Sequence, residues 1–440
     1  MSTAGQFTSG YGIGFLGPFG ADMQEQFKMS SDAVTWVASS VTLAGIPGCL
    51  VAGKMADIMG RRNSLFICYI LSSTGWLLVT LSRHSMVFIL GRVVHGFGEA
   101  MIVVVTPMYL GEISPARYKA VLVASVTVAG WGGNAVIYAL GLFLPWRLCA
   151  SLCVLVSVLG LLCLLLVPES PPWLAGSGRN EEAERAFIKY HGAREVMDLQ
   201  SDIKSLGAQE TEKKISFKKD AYNLIPAIIV IFTPLNGGFF MAFFAVDLIS
   251  SMGISQPGII SVSVVFLRML GTVFSLFFIH KLGRRYSFLL SSIIVTACSV
   301  LICFFLLTDL IPKPVENILL TLLLLLSMYS YGLGMGPVPW VLASEWPCME
   351  HKAMVNTATS LCYFTSVFLS APLATTCMSL AGMASTYCMF ALVNCIVLGI
   401  VLGLVPETGG RTYQQWRREE ERKERGEQGQ EEEFDNILQI

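Results

Sequence analysis

Asp57-Ile58-Met59-Gly60-Arg61-Arg62 closes one apolar run, and His280-Lys281-Leu282-Gly283-Arg284-Arg285 closes another 223 residues later (60 to 283), about half the length of the 440-residue chain. The echo continues outward from that pair. Glu112-Ile113-Ser114-Pro115 with Lys119-Ala120 returns as Glu345-Trp346-Pro347 with Lys352-Ala353, the step from Glu to Lys being seven residues both times. Pro168-Glu169-Ser170-Pro171 then returns as Pro406-Glu407-Thr408. Three short charged motifs in the same order, embedded in lipid-soluble sequence, predict a duplicated membrane bundle, the architecture of a transporter rather than an enzyme.

Composition agrees. Hydrophobic residues make up 54% of the chain and charged ones 14%, with a mean hydropathy of +0.62, against about 25% charged residues in ordinary soluble domains. A net charge of −1 implies no polyanionic partner, so nucleic acid is excluded as a ligand. The 12 cysteines fall singly in apolar runs (Cys49, Cys153, Cys163, Cys298, Cys303 and Cys395 among them) without Cys-x-x-Cys spacing, and read as small core residues. There is no metal framework, no phosphate-cradling Gly loop and no implied cofactor.

A spanning helix needs about 20 largely apolar residues. Candidate spans fall at 2–21, 34–54, 64–82, 88–110, 121–144, 147–167, 222–249, 258–280, 286–307, 317–344, 353–377 and 382–405. The expected organisation is an all-α membrane protein of twelve transmembrane helices: a six-helix bundle over 1–167, a cytoplasmic linker over 168–221, a second bundle over 222–405 and a tail over 406–440. The first span is Gly-rich and short, either an abbreviated helix or one that lacks residues ahead of it. In the linker, Val196, Leu199, Ile203 and Leu206 share a helical face and 181–190 has a similar mixed pattern, which predicts short amphipathic helices, the alternative being a disordered connection. Arg61, Arg62, Arg117, Lys119, Lys281, Arg284, Arg285 and Lys352 fall in loops of one parity, so that side and both termini are expected in the cytoplasm. Nothing here fixes an oligomeric state.

Asp57-x-x-Gly60-Arg61-Arg62, Gly91-Arg92, Pro107-x-Tyr109-x-x-Glu112, Pro168-Glu169-Ser170-Pro171-x-Trp173, Gly336-Pro337-x-Pro339-Trp340-x-x-x-x-Glu345 and Pro406-Glu407-Thr408-x-x-Arg411-Thr412 together resemble the sugar porter family of the major facilitator superfamily. The resemblance covers nearly the whole chain and is strongest toward facilitated trehalose transporters, through Tyr109-Leu110-Gly111-Glu112 and Thr127. It implies two pseudo-symmetric bundles, a plasma-membrane location, and a small sugar or sugar-like solute as partner alongside the lipid bilayer.

Arg61, Arg62, Arg284 and Arg285, facing Asp57, Glu112, Glu169, Glu345 and Glu407, are expected to form a cytoplasmic gate that ties the bundles together when the inner mouth is shut. An exposed pair contributes only about 0–1 kcal/mol, so a network is needed to bias such an equilibrium. Lys119 and Lys352 stand where the family usually has Arg, Pro172 replaces a usual Arg, and His280 replaces a usual acid, which predicts a looser gate.

By resemblance the solute sits mid-membrane, and Trp340 supplies the aromatic face, on a span broken by Gly332, Gly334, Gly336, Pro337 and Pro339. Thr127, Asn236 and Tyr363 are the other expected contacts. The family's amides are largely gone: its span-seven Gln-Gln-x-x-Gly-x-Asn aligns with 233–239, leaving a Gly and a displaced Asn236, and its span-eleven Asn-Trp is Tyr363-Phe364. Arg268 replaces a usual Asn near the middle of span eight, where an arginine costs about 2.5–3.5 kcal/mol and must find water, a counter-charge or a ligand. Asp247 and Glu99 are candidate partners for a structural ion pair. The competing readings are an anionic group on the solute, such as a sugar acid, and a polar cavity residue that touches neither.

Arg92, His95 and Glu99 share one face of span four. By resemblance, proton-coupled members carry an Asp in span one after Gly-Tyr, where this chain has Gly12 after Gly10-Tyr11, so facilitated diffusion is favoured, with symport through Glu99 as the alternative. A non-transporting sensor or partner subunit is the competing class, since the amides are lost while the gate is kept.

Overall fold

The computed structural model describes residues 2–114, 116–191, 224–308, 310–346 and 352–406. Among them the chain is helical with no strand. The first half comprises α1 (Ser2–Gly14), α2 (Leu16–Phe27), α3 (Ser31–Met59), α4 (Arg61–Leu81), α5 (Ser85–Ile113), α6 (Ala116–Leu140) and α7 (Trp146–Leu164), followed by short α8 (Pro171–Gly176) and α9 (Asn180–His191). The second half comprises α10 (Ile225–Phe232), α11 (Gly238–Ser251), α12 (Pro257–Leu282), α13 (Arg284–Leu307), α14 (Lys313–Leu333), α15 (Val338–Glu345) and α16 (Lys352–Leu404).

Among the described residues nine helical stretches are long and apolar enough to cross a membrane, the last of them Met354–Leu404. That stretch breaks at Gly382 (φ 81°, ψ 178°) into two rods, at the boundary expected between the last two spans. The pair α1–α2 and helix α6 occupy the first and fifth expected positions, and they pack closely together. A Cβ on Gly10 would lie 1.7 Å from the Gly130 carbonyl oxygen and one on Gly133 would lie 2.0 Å from that of Phe7, so α1 and α6 touch backbone to backbone. Small residues permit this approach.

Two spans are interrupted. Between α10 and α11 a 3₁₀ turn over Thr233–Asn236 ends at Gly237, whose φ of 93° suits glycine. Between α14 and α15 the chain unwinds around Gly334, and the Gly336 amide donates back to the Tyr331 carbonyl at 2.9 Å. Such breaks are tolerated inside a membrane where protein or a cavity satisfies the freed backbone.

The sequence repeat is a structural repeat. Gly60 (φ 91°, ψ 164°) and Gly283 (φ 88°, ψ 165°) turn the chain identically into α4 and α13. Ser64 Oγ donates to Gly60 O at 2.6 Å and Ser287 Oγ to Gly283 O at 2.7 Å. Arg62 donates from Nε to Leu164 O at 2.9 Å, and Arg285 from Nη2 to Leu402 O at 2.8 Å.

Alternation of the helices places both Gly-Arg-Arg turns at one end, called here the basic end. At the opposite end one apolar core serves both halves, with Ile137 and Tyr138 of α6 packed among Met241, Phe244 and Leu248 of α11. Toward the basic end the core divides. Ala56, Leu65, Val105 and Leu164 form one cluster, which Phe364 of the second half enters. Ile225, Phe288, Leu342 and Val401 form another. Helix α9 covers the amphipathic stretch expected at 181–190 and packs Ala183 and Ala186 on Leu174 of α8; Val196, Leu199, Ile203 and Leu206 lie outside the described residues.

Candidate functional site

At the basic end the pairs Arg61–Glu112 and Arg284–Glu345 each join residues of one half. Arg61 reaches Glu112 at 3.0 Å and Asp57 at 3.3 Å. Arg284 grips Glu345 through two parallel bonds, Nε to Oε2 at 3.1 Å and Nη2 to Oε1 at 3.0 Å, repeating the Arg61–Glu112 pair in the second half. These two pairs are stays inside each bundle, whereas the expected gate ties one bundle to the other. Glu169 departs further from expectation. Its carboxylate accepts from the backbone amides of Arg61 (2.9 Å), Arg62 (2.9 and 3.0 Å), Asn63 (3.4 Å) and Ser170 (2.9 Å), not from a guanidinium. It therefore caps α4 from another part of the chain, where unpaired amides and the helix dipole favour an anion. Ser170 Oγ donates to Glu112, and Trp173 Nε1 donates to Asp57 O at 2.8 Å, so the Pro-Glu-Ser-Pro segment clasps the turn from below. Of the remaining expected gate residues, Glu407 and the side chains of Lys119 and Lys352 lie outside the described residues.

Buried in the first half, Arg92, His95 and Glu99 line one side of α5 at 0%, 1% and 1% exposure. Arg92 donates to Gly12 O at 2.9 Å, and Ser9 Oγ donates to Glu99 Oε1 at 2.8 Å. His95 Nδ1 lies 3.3 Å from Ser72 Oγ. Its Nε2 sits at ion-pair distance from Glu99 Oε2, 3.1 Å, though not in line for a hydrogen bond. The absent side chain at position 12 makes this possible, because a Cβ there would stand 2.3 Å from His95 Nε2.

The centre of the molecule is aromatic. Trp131 of α6 meets Phe239 of α11 at 5.4 Å between ring centroids, Phe239 meets Tyr363 of α16 at 5.5 Å, and Tyr363 meets Trp340 of α15 at 5.1 Å. Rings from both halves thus meet in one row. Arg268 of α12 lies against it, its guanidinium carbon 3.4 Å from the Trp131 centroid, 4.3 Å from Tyr331 and 4.9 Å from Phe239. It donates from Nη1 to Gly238 O, at the start of α11 just past the break in span seven.

Neither carboxylate considered for Arg268 is its partner. Glu99 is engaged by Ser9 and His95. Asp247 is exposed near Gly20. The structural ion pair is therefore replaced by cation–π contact with three rings. Asn236 is buried but turned to its own backbone, accepting from the Gly238 amide at 3.0 Å, with its Nδ2 3.8 Å from Met335 Sδ. Thr127, half-buried on α6, sits one turn from Trp131, and no hydrogen bond of its hydroxyl is described. Sequence reasoning missed Trp131, Phe239 and Tyr331. The available signal was that Phe239 stands where the family has the last amide of the span-seven motif: an amide lost beside a gained arginine points to a ring supporting that arginine.

The sequence profile of the family described as "Sugar (and other) transporter" matches residues 1–419. The chain belongs to that family. Among its relatives, "Sugar transporter ERD6-like 6" of Arabidopsis thaliana is 25% identical over 427 residues, covering 93% of this chain and 87% of that protein. "Sugar transporter ERD6-like 15" of the same plant is 28% identical over 433 residues, 94% and 89% of the two chains. Among solved structures, the fold is shared with the proton:xylose symporter XylE bound to 6-bromo-6-deoxy-D-glucose, at a TM-score of 0.78 and 19% identity over 93% of this chain and 96% of that one. The partially occluded inward-open xylose transporter XylE of E. coli gives a TM-score of 0.75 at 19% identity over 92% and 98%. The protein is thus a multi-pass membrane protein with the all-helical sugar-porter fold of the major facilitator superfamily, and the relatives are carriers rather than enzymes.

Proposed function

We propose that this protein carries a sugar or sugar-like solute of trehalose or hexose size across a membrane by alternating access, as facilitated diffusion. The observation that carries the reading is the row of rings drawn from both halves around one polar centre, since rocking of the halves exposes such a centre to each side in turn. Relatives named as sugar transporters over nearly the whole chain support the substrate class. Gly12, in the position where the resemblance puts the coupling acid, supports diffusion without a proton. The basic-residue asymmetry argues for both termini in the cytoplasm, and resemblance argues for the plasma membrane.

Glu99 motivates a second reading, proton coupling, because a carboxyl from span four fills the space beside Gly12 together with His95. The experiment is uptake of labelled trehalose, glucose and sugar acids into liposomes holding the purified protein. Equilibration without accumulation, unaffected by a protonophore, is the expected result. Accumulation that a protonophore abolishes would establish symport instead, and saturable binding without flux would make the protein a sensor.

A further inference from the structure

The two arginines buried in mid-span, Arg92 and Arg268, stand in different surroundings. In the first half the carboxylate of Glu99 is buried on the same helix face as Arg92, which bonds Gly12 O and leaves Nε and Nη1 without a partner. In the second, Arg268 is 2% exposed and no carboxylate pairs with it among the described residues. Cation–π contact with Trp131, Tyr331 and Phe239 holds the guanidinium in place, yet the ring faces supply no acceptor for its N–H groups, and the Tyr331 hydroxyl is turned to Thr233 O at 3.4 Å.

The unsatisfied donors form a pattern. Nη1 is used by Gly238 O, whereas Nε and Nη2 have no acceptor. Those two nitrogens make one edge of the guanidinium, the fork that fits both oxygens of a carboxylate. The same protein uses that very edge elsewhere: Arg284 binds Glu345 through Nε and Nη2 at 3.1 and 3.0 Å. Arg92 offers no comparable fork, because its Nη2 is taken by Gly12 O.

From this we infer that the solute bears a single carboxylate, which the Nε–Nη2 edge of Arg268 receives while the ring row stacks against the body of the molecule. The inference rests on the carrier reading above and narrows its substrate class to sugar-sized monoacids, such as hexuronates or aldonates. One cation selects a monoanion; a phosphate ester carries a charge near −2 and calls for more positive charge than this centre holds. Trp131 belongs to the first half and covers the guanidinium from that side, so rocking of the halves changes access to the fork. The lost amides follow from the same arrangement: a charged fork replaces several neutral hydrogen bonds as the anchor.

Trp131 provides a binding signal that does not depend on transport. D-glucuronate, D-galacturonate and D-gluconate would each be titrated against purified wild-type protein, following tryptophan fluorescence, with Trp131→Phe to assign the signal and D-glucose and glucose 6-phosphate as comparisons. At least one monoacid is expected to bind tenfold or more tightly than glucose. Arg268→Asn should abolish that preference, while Arg268→Lys, which keeps the charge but not the fork, should retain part of it. The inference is overturned if none of the three monoacids outcompetes glucose, if glucose 6-phosphate binds more tightly than all of them, or if folded Arg268→Asn keeps the preference. Liposome flux separates the two readings. Monoacid binding without flux of any solute would sink the carrier reading and leave the anion site standing, whereas flux of neutral sugars with no monoacid preference would do the reverse.

Discussion

Two carboxylates flank the Gly60 turn, and their environments rank them. Glu169 is 9% exposed and accepts from the amides at the start of α4, whereas Asp57 is 69% exposed and makes a single i,i+4 contact with Arg61. Hydrogen bonds to a charged acceptor contribute about 1.5–3 kcal/mol, while an exposed helical pair contributes about 0.3–0.5 kcal/mol. Glu169→Gln should therefore lower unfolding stability by about 1.5–3 kcal/mol and Asp57→Asn by less than about 0.5 kcal/mol, read from thermal melts of the detergent-purified protein. Equal effects would mean that the cap adds nothing beyond a surface charge. Position 12 makes a second residue-level prediction. Gly12→Asp places a side chain on His95 Nε2, and overpacking of this kind costs about 1–3 kcal/mol. Gly12→Asp with His95→Ala should recover at least 1 kcal/mol of that loss, roughly, in a double-mutant cycle. Additive losses would show that the two side chains do not compete for one space.

Helix α1 shows what hydropathy alone does not register. Its Gly-rich composition predicted an abbreviated or incomplete span, because hydropathy measures fitness for lipid. The structure gives α1 a close protein neighbour in α6, and the glycines register that contact. The contacts are unequal. A Cβ on Gly133 would meet Phe7 O at 2.0 Å, but one on Gly130 would meet its nearest neighbour, Gln6 O, at 3.6 Å. Gly133→Ala is expected to force α1 and α6 apart and lower the melting temperature by several degrees, consistent with about 1–3 kcal/mol of overpacking. Gly130→Ala should be silent. Were both alanines tolerated, the close approach of these helices would be refuted. The charged turns were legible in part: Gly60 and Gly283 need a positive φ and Arg61 and Arg284 need carboxylates, so residue type gives the turn and its pairing, but not which half supplies the partner or that Glu169 caps α4. The central row was not legible, because Trp131, Phe239 and Tyr331 look like any buried aromatics until the fold brings Arg268 among them.

Across the whole molecule the asymmetry lies in how the halves are joined. The pairs Arg61–Glu112 and Arg284–Glu345 at the basic end each lie within one half, while at the opposite end Tyr138 of α6 donates across the junction to Met241 O at 3.4 Å and Ala242 O at 3.1 Å, within one shared core. If the halves rock about the central ring row, opening the opposite end must break the Tyr138 bonds, and closing the basic end must create contacts between halves beyond the stays described above. Removing the Tyr138 hydroxyl therefore stabilises the state open at that end by the net worth of such bonds, about 0.5–1.5 kcal/mol. A population ratio then moves by about twofold to tenfold toward that state. The measurement is the labelling rate of Met241→Cys by an impermeant thiol reagent added from that side, compared in Tyr138 and Tyr138→Phe backgrounds. Labelling about twofold to tenfold faster in the Phe background is expected. An unchanged rate would mean that this junction does not part during transport, and the rocking description would fail at the end where the two halves are most intimately packed.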